Sequence, residues 1–140
     1  EPQAAIGRIQ LTKVVRWITE RAAHARRWRE ALTGIPGVRI PWPGAGVEPA
    51  WYRFYAFVAA DLRDRLLGEL QAQGVTCWSG SCGRIDREVC FADLTPPGPL
   101  PVADRLAATS LAFATHPGLE VAMIARAAEV LRRTVTGRTP

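Results

Sequence analysis

The chain has 140 residues and 15.3 kDa, enough for one domain with its own core and too little for two ordinary domains joined by a linker. Hydrophobic residues make up 48% and charged residues 22%, which excludes disordered, collagen-like and low-complexity chains. The net charge of +5 comes from 17 arginines and the single lysine Lys13. Arginine spread so evenly in place of lysine reads as a composition bias and not as a phosphate-binding patch, so nucleic acid is not an expected partner.

No apolar run of about 18 residues and no basic-then-apolar leader occurs, so no membrane partner is expected. Cys77, Cys82 and Cys90 stand at spacings of five and eight, which suits neither a zinc pair nor a CxxC redox site. A reduced, cytoplasmic setting is the expectation. His24 and His116 are remote from each other and from any carboxylate pair, so both are expected as surface or capping side chains, and no metal site is expected.

Ala4, Ala5, Ile6, Ile9 and Leu11 predict a helix from the first residues, with no cap or charged lead-in before it. Thr12 is the expected cap or kink. Val14, Val15, Ile18, Ala22, Ala25, Ala31 and Leu32 then recur at helical spacing as the expected buried face, bordered by Trp17, Arg21, His24 and Trp28, until Gly34 and Pro36 stop the run. Gly37 to Ile40 reads as a short strand and Pro41 to Pro49 as a loop.

Trp51 to Val58 is the strongest strand signal, with Trp51, Arg53, Tyr55 and Phe57 on one face and Tyr52, Phe54, Ala56 and Val58 on the other. Both faces must be largely covered, and an arginine there needs a partner or a wet cleft. Asp61 is the expected N-cap of a helix to about Gln73, with Leu62, Leu66, Leu67 and Leu70 as its buried stripe and Gly74 past its end. Val75 to Trp78 reads as a strand. The small, polar run Ser79-Gly80-Ser81-Cys82-Gly83 leads into a helix of about Arg84 to Phe91. Such a loop is either ligand-facing or simply a tight strand-to-helix turn.

Pro96, Pro97, Pro99 and Pro101 make a rigid extended connector. A helix over Val102 to Ala108, a strand over Ser110 to Ala114, a turn at His116-Pro117-Gly118 and a closing helix with Val121, Ile124, Ala128, Leu131 and Val135 on one face complete the order. The fold class is α+β: a small sheet packed with helices and preceded by a long N-terminal helix. The divisions expected are a connecting helical stretch over 1–34, an α+β body over 35–135 and a tail over 136–140.

These residues contain no GxGxxG, P-loop, HExxH or GxSxG string, and Cys82 lacks a neighbouring histidine that would make it a nucleophile. Several short strings add more. Glu1-x-Gln3-Ala4-Ala5-Ile6-Gly7-x-x-Gln10-Leu11 resembles the segment that follows the cofactor-binding domain in the DegT/DnrJ/StrS family of pyridoxal-phosphate-dependent sugar aminotransferases. The likeness continues through Ile35-Pro36-Gly37-Val38, Trp51-Tyr52-Arg53-Phe54-Tyr55, Ser79-Gly80-Ser81-Cys82 with Arg87-Glu88 behind it, Pro101-Val102-Ala103 and His116-Pro117-x-Leu119.

The resemblance implies the C-terminal small domain of a fold-type I aminotransferase, whose large domain lies N-terminal to Glu1 and carries the cofactor lysine, the carboxylate beside the pyridine nitrogen and the phosphate-holding groups. The parent would then be a homodimeric transaminase acting on a nucleotide-linked keto sugar, and these 140 residues alone would be inactive. Lys13 reads as solvated and is not expected to hold the cofactor, so no catalytic or cofactor-binding residue is assigned here. Arg53, Ser79, Ser81 and Cys82 are the substrate-binding candidates, with Arg53 suited to a diphosphate or a carboxylate. An internal ion pair is the alternative for Arg53. Asp86 stands where similar sequences carry a tyrosine, and Gly83 and Val89 also depart from the pattern. The alternative for the whole chain is a stand-alone, non-catalytic interaction module.

Overall fold

A proline at the first helical position lacks only an amide that would have had no partner, and α1 accordingly runs Pro2–Leu11. Thr12 closes it, donating its hydroxyl to the Ile9 carbonyl at 2.8 Å, and α2 follows over Val14–Leu32 with Lys13 as its N-cap residue. The computed structural model describes residues 1–80, 84–91, 93 and 98–137.

The face of α2 that enters the core differs from the expected one. Val15 is 77% exposed, whereas His24, Ala25, Trp28 and Leu32 are buried. The large indole decides this: Trp28 lies 4.5 Å from the Phe113 ring and 6.1 Å from that of Phe54, and burying it removes more apolar surface from water than burying valine would. Its Nε1 donates to the Ala114 carbonyl at 2.9 Å, so the ring goes inside with its polar atom satisfied. His24, expected at the surface, is buried one turn before Trp28, with Nδ1 3.3 Å from the Thr115 carbonyl oxygen. Gly34, with φ 81°, turns the chain after α2.

The expected strand over Gly37 to Ile40 reduces to a single bridge in which Arg39 and Phe57 exchange two backbone hydrogen bonds of 2.8 Å. Strand β1 spans Arg53–Phe57. It begins two residues later than expected because Trp51 adopts φ 49°, which turns the backbone out of the extended region, and Tyr52 is left 71% exposed instead of sharing the covered face of Phe54.

Helix α3 spans Ala60–Ala72, with Ala59 and not Asp61 at its N-cap; Asp61 lies in the first turn, where its charge still faces the positive helix end. Leu66 and Leu70 are buried along it, and Gly74 has the expected left-handed φ of 71°. The Val75 amide donates back to the Leu70 carbonyl at 3.0 Å, so strand β2 is only Cys77–Trp78. In place of the expected helix over Arg84 to Phe91 there are two 3-10 turns, Ile85–Arg87 and Val89–Phe91, separated by Glu88 in an extended conformation. Helix α4, Pro101–Thr109, runs directly into β3, Ser110–Ala114, and α5 spans Val121–Val135.

The sheet order is β1-β3-β2, and β3 pairs antiparallel with both neighbours. Phe54, Ala56, Leu111, Phe113 and Cys77 share the inner face and form one core with Trp28 of α2, Leu66 and Leu70 of α3, and Ile124, Ala128 and Leu131 of α5. Helix α5 contacts both α2 and α3. Strand β3, buried at all five positions, is the central strand, as its small and apolar sequence requires.

Candidate functional site

Alternation along the strands puts Arg53, Tyr55 and Phe57 of β1, Ser110, Ala112 and Ala114 of β3, and Trp78 of β2 on the outer face of the sheet. Arg53 pairs with Ala114, while Ala112 lies between Tyr55 and Trp78. Because the central strand carries Ala112 and Ala114 at these positions, its side chains put nothing bulky between Arg53 and Trp78. The Arg53 guanidinium reaches across β3 and lies over the Trp78 ring, 4.2 Å from its centroid, with the Tyr52 ring at 5.3 Å. Among the described residues Arg53 meets rings and no carboxylate within 4.0 Å.

The structure therefore brings Arg53 to the residue directly before Ser79. Ser79 is exposed, and its carbonyl accepts a 2.7 Å hydrogen bond from the buried Ser110 hydroxyl. At Gly80, with φ 123°, an added Cβ would stand 3.1 Å from that same hydroxyl, so the exit from β2 is tied closely to the start of β3. Ser81 and Cys82, the other two candidates, lie outside the described residues, as does Gly83.

Asp86 is held inside the domain. It pairs with Arg84, whose other guanidinium nitrogen reaches Asp104 of α4, and Arg87 approaches the same Asp104 oxygen at 2.7 Å. The Arg84 hydrogen bonds, followed by its charge, hold the Asp86 carboxyl below the ordinary carboxylate range and raise the Arg84 pKa in turn. Cys77, facing the core, has its thiol pushed up to about 11 by burial, which keeps it a neutral, unreactive side chain. Lys13 is exposed at the junction of the first two helices, with Nζ 6.0 Å from the Trp17 ring centroid. Among the described residues no cluster of three or more potential metal ligands exists, and no helix is long and apolar enough to cross a membrane.

Behind the start of β1, the buried Thr115 hydroxyl donates to the Trp51 carbonyl at 2.5 Å, and Arg21 Nη1 donates to the Tyr52 carbonyl at 3.1 Å. These bonds hold the left-handed turn that places Trp51 4.8 Å from Trp42 and Tyr52 beside Arg53. Sequence reasoning missed Trp78, Ser110 and Thr115 as parts of this region. The alternation of Trp78 could have been read, but only the pairing of β2 with β3 puts it opposite Ala112.

The small three-stranded sheet backed by helices is the fold seen in sugar-nucleotide aminotransferases. The model of the DegT/DnrJ/EryC1/StrS aminotransferase family matches residues 1–132, and the chain belongs to that family. It is 30% identical over 133 residues to a dTDP-3-amino-3,4,6-trideoxy-alpha-D-glucose transaminase of Streptomyces venezuelae, a match that covers 94% of this chain and 35% of the relative. It is 30% identical over 92 residues to a dTDP-4-dehydro-2,6-dideoxy-D-glucose 3-dehydratase of Saccharopolyspora spinosa, covering 64% of this chain and 20% of that one. The crystal structure of Streptomyces venezuelae DesV in complex with a ketimine intermediate superposes with a TM-score of 0.83 at 27% identity, over 99% of this chain and 37% of that chain. The match thus spans about a third of the length of the transaminase relative and of DesV, and a fifth of the dehydratase. A further similar structure, that of the E. coli GDP-4-keto-6-deoxy-D-mannose-3-dehydratase with bound hydrated PLP, superposes with a TM-score of 0.76 at 23% identity over 91% of this chain and 34% of that chain.

Proposed function

We propose that these residues are the C-terminal small domain of a homodimeric, cytoplasmic transaminase that moves an amino group from an amino acid to the keto group of a nucleotide-linked sugar. The observation that carries this reading is a family match along nearly the whole chain that nonetheless accounts for about a third or less of each relative reported. Transamination is preferred to dehydration because the transaminase relative aligns over 94% of the chain and the dehydratase over 64%.

In this reading the cofactor is held by the missing large domain, where pyridoxal phosphate, when bound, supplies the electron sink for the carbanion. The present residues contribute binding. Arg53 offers a guanidinium that no described carboxylate neutralises, a suitable partner for phosphoryl oxygens. Ser79 and, next in the sequence, Ser81 and Cys82 offer small polar groups to the sugar. Alone, the 140 residues hold no cofactor and do not transaminate. The reading frame upstream of Glu1 tests the assignment: it should encode about two further domain lengths containing the cofactor lysine. A start codon immediately before Glu1 would favour a stand-alone interaction module instead.

A further inference from the structure

Arginine is flexible, and an exposed guanidinium ordinarily samples many rotamers, so its value as an anion receptor depends on what restrains it. Arg53 is restrained from two directions. The Trp78 ring lies 4.2 Å from the guanidinium carbon, and the ring of its own neighbour Tyr52 lies 5.3 Å away. Stacking uses the π faces of the guanidinium and leaves its N–H donors, which lie in the plane, free to bind. The side chain gains this position because Ala112 and Ala114 put no bulky side chain between β1 and β2 on the outer face. Trp78 itself is 38% exposed and faces away from the core that buries Cys77, its neighbour in β2. Core packing therefore does not account for a tryptophan at this position.

We infer that Trp78 is a positioning residue: with Tyr52 it holds the Arg53 guanidinium flat and directs the N–H edge outward as a preformed receptor for a diphosphate. This rests on the reading of Arg53 as a substrate-binding residue for phosphoryl oxygens and adds the residue that orients it. A guanidinium binds a carboxylate or a phosphoryl group bidentately, and a diphosphate differs from one carboxylate in bringing a larger negative charge and more acceptor oxygens to the same donors.

The test is titration of the 140-residue chain with inorganic pyrophosphate and, separately, with glutamate, followed by calorimetry. Pyrophosphate should bind and glutamate should bind more weakly. Arg53→Ala should abolish pyrophosphate binding, Trp78→Ala should weaken it roughly three- to tenfold, and Trp78→Phe, which keeps a ring, should stay within about twofold of the wild type. A purely structural role would make the affinity of the two Trp78 variants follow their melting temperatures, and that outcome overturns the inference. So does a Trp78→Ala chain that binds as the wild type does while Arg53→Ala fails to bind. Absence of pyrophosphate binding in the wild type, or preference for glutamate, overturns the diphosphate assignment itself. An Arg53→Ala chain that binds normally instead removes Arg53 from the site.

Discussion

Thr115 and Trp28 show how single polar atoms determine which parts of this chain are interior. The Thr115 hydroxyl reaches the Trp51 carbonyl from a fully buried position, and the strained φ of Trp51 persists only because such bonds restrain it. Thr115→Val keeps the volume and removes the donor, so it should cost about 1–3 kcal/mol of unfolding free energy, measured by urea denaturation. Trp28→Ala should cost more, about 3–5 kcal/mol, since it opens a cavity between Phe54 and Phe113 and leaves the Ala114 carbonyl without its indole donor. His24 was not legible as a core residue. Its burial depends on a carbonyl 91 positions away in sequence, which no local pattern encodes.

At the scale of elements, the central strand and the last three helices were readable because their signals are local and consistent: apolar repeats, a proline at the start of α4 and a left-handed glycine after α3. The inward face of α2 was not, because two apolar stripes compete and the choice is made by a sheet that the helix sequence does not contain. The shortness of β2 likewise reflects an amide captured by the preceding helix. The candidate site was legible as residue types, an arginine among aromatics and a polar loop, but the meeting of Arg53 with Trp78 required the strand order β1-β3-β2.

The α3–α5 junction makes a pH-dependent prediction. Glu69 accepts a hydrogen bond from the Thr134 hydroxyl at 2.5 Å and is also bonded by Arg65, and these hold its carboxyl below the ordinary range. A carboxyl depressed in the folded state adds stability that is fully present above its unfolded pKa, about 4.3, and is lost as pH falls through the lowered native value. Glu69→Gln should therefore flatten the acid limb of a stability–pH curve between about pH 5 and pH 3; an unchanged limb would contradict the coupling.

The whole molecule leaves a long apolar stripe without cover. Ile6, Ile9, Leu11, Val15 and Ile18 are all exposed along α1 and the first half of α2, while Trp17 is half-buried. A domain that normally packs against a larger neighbour should self-associate through such a face when alone. Sedimentation of the 140-residue chain should show concentration-dependent oligomers that dissociate in a Val15→Asp/Ile18→Asp variant. A monodisperse wild-type monomer would contradict this. The same chain, mixed with pyridoxal phosphate and dialysed, should retain no visible cofactor absorbance, since Lys13 stands alone at an exposed helix junction.

The central claim, that this domain serves a transaminase by binding a nucleotide-linked sugar through Arg53, is tested most directly by steady-state kinetics of the full-length parent with a dTDP-linked keto sugar and glutamate. The wild type should yield the amino sugar nucleotide, and Arg53→Ala should raise the KM for the sugar about tenfold or more while cofactor occupancy stays unchanged. No amino product from the wild type, or identical kinetics in the variant, would contradict the account.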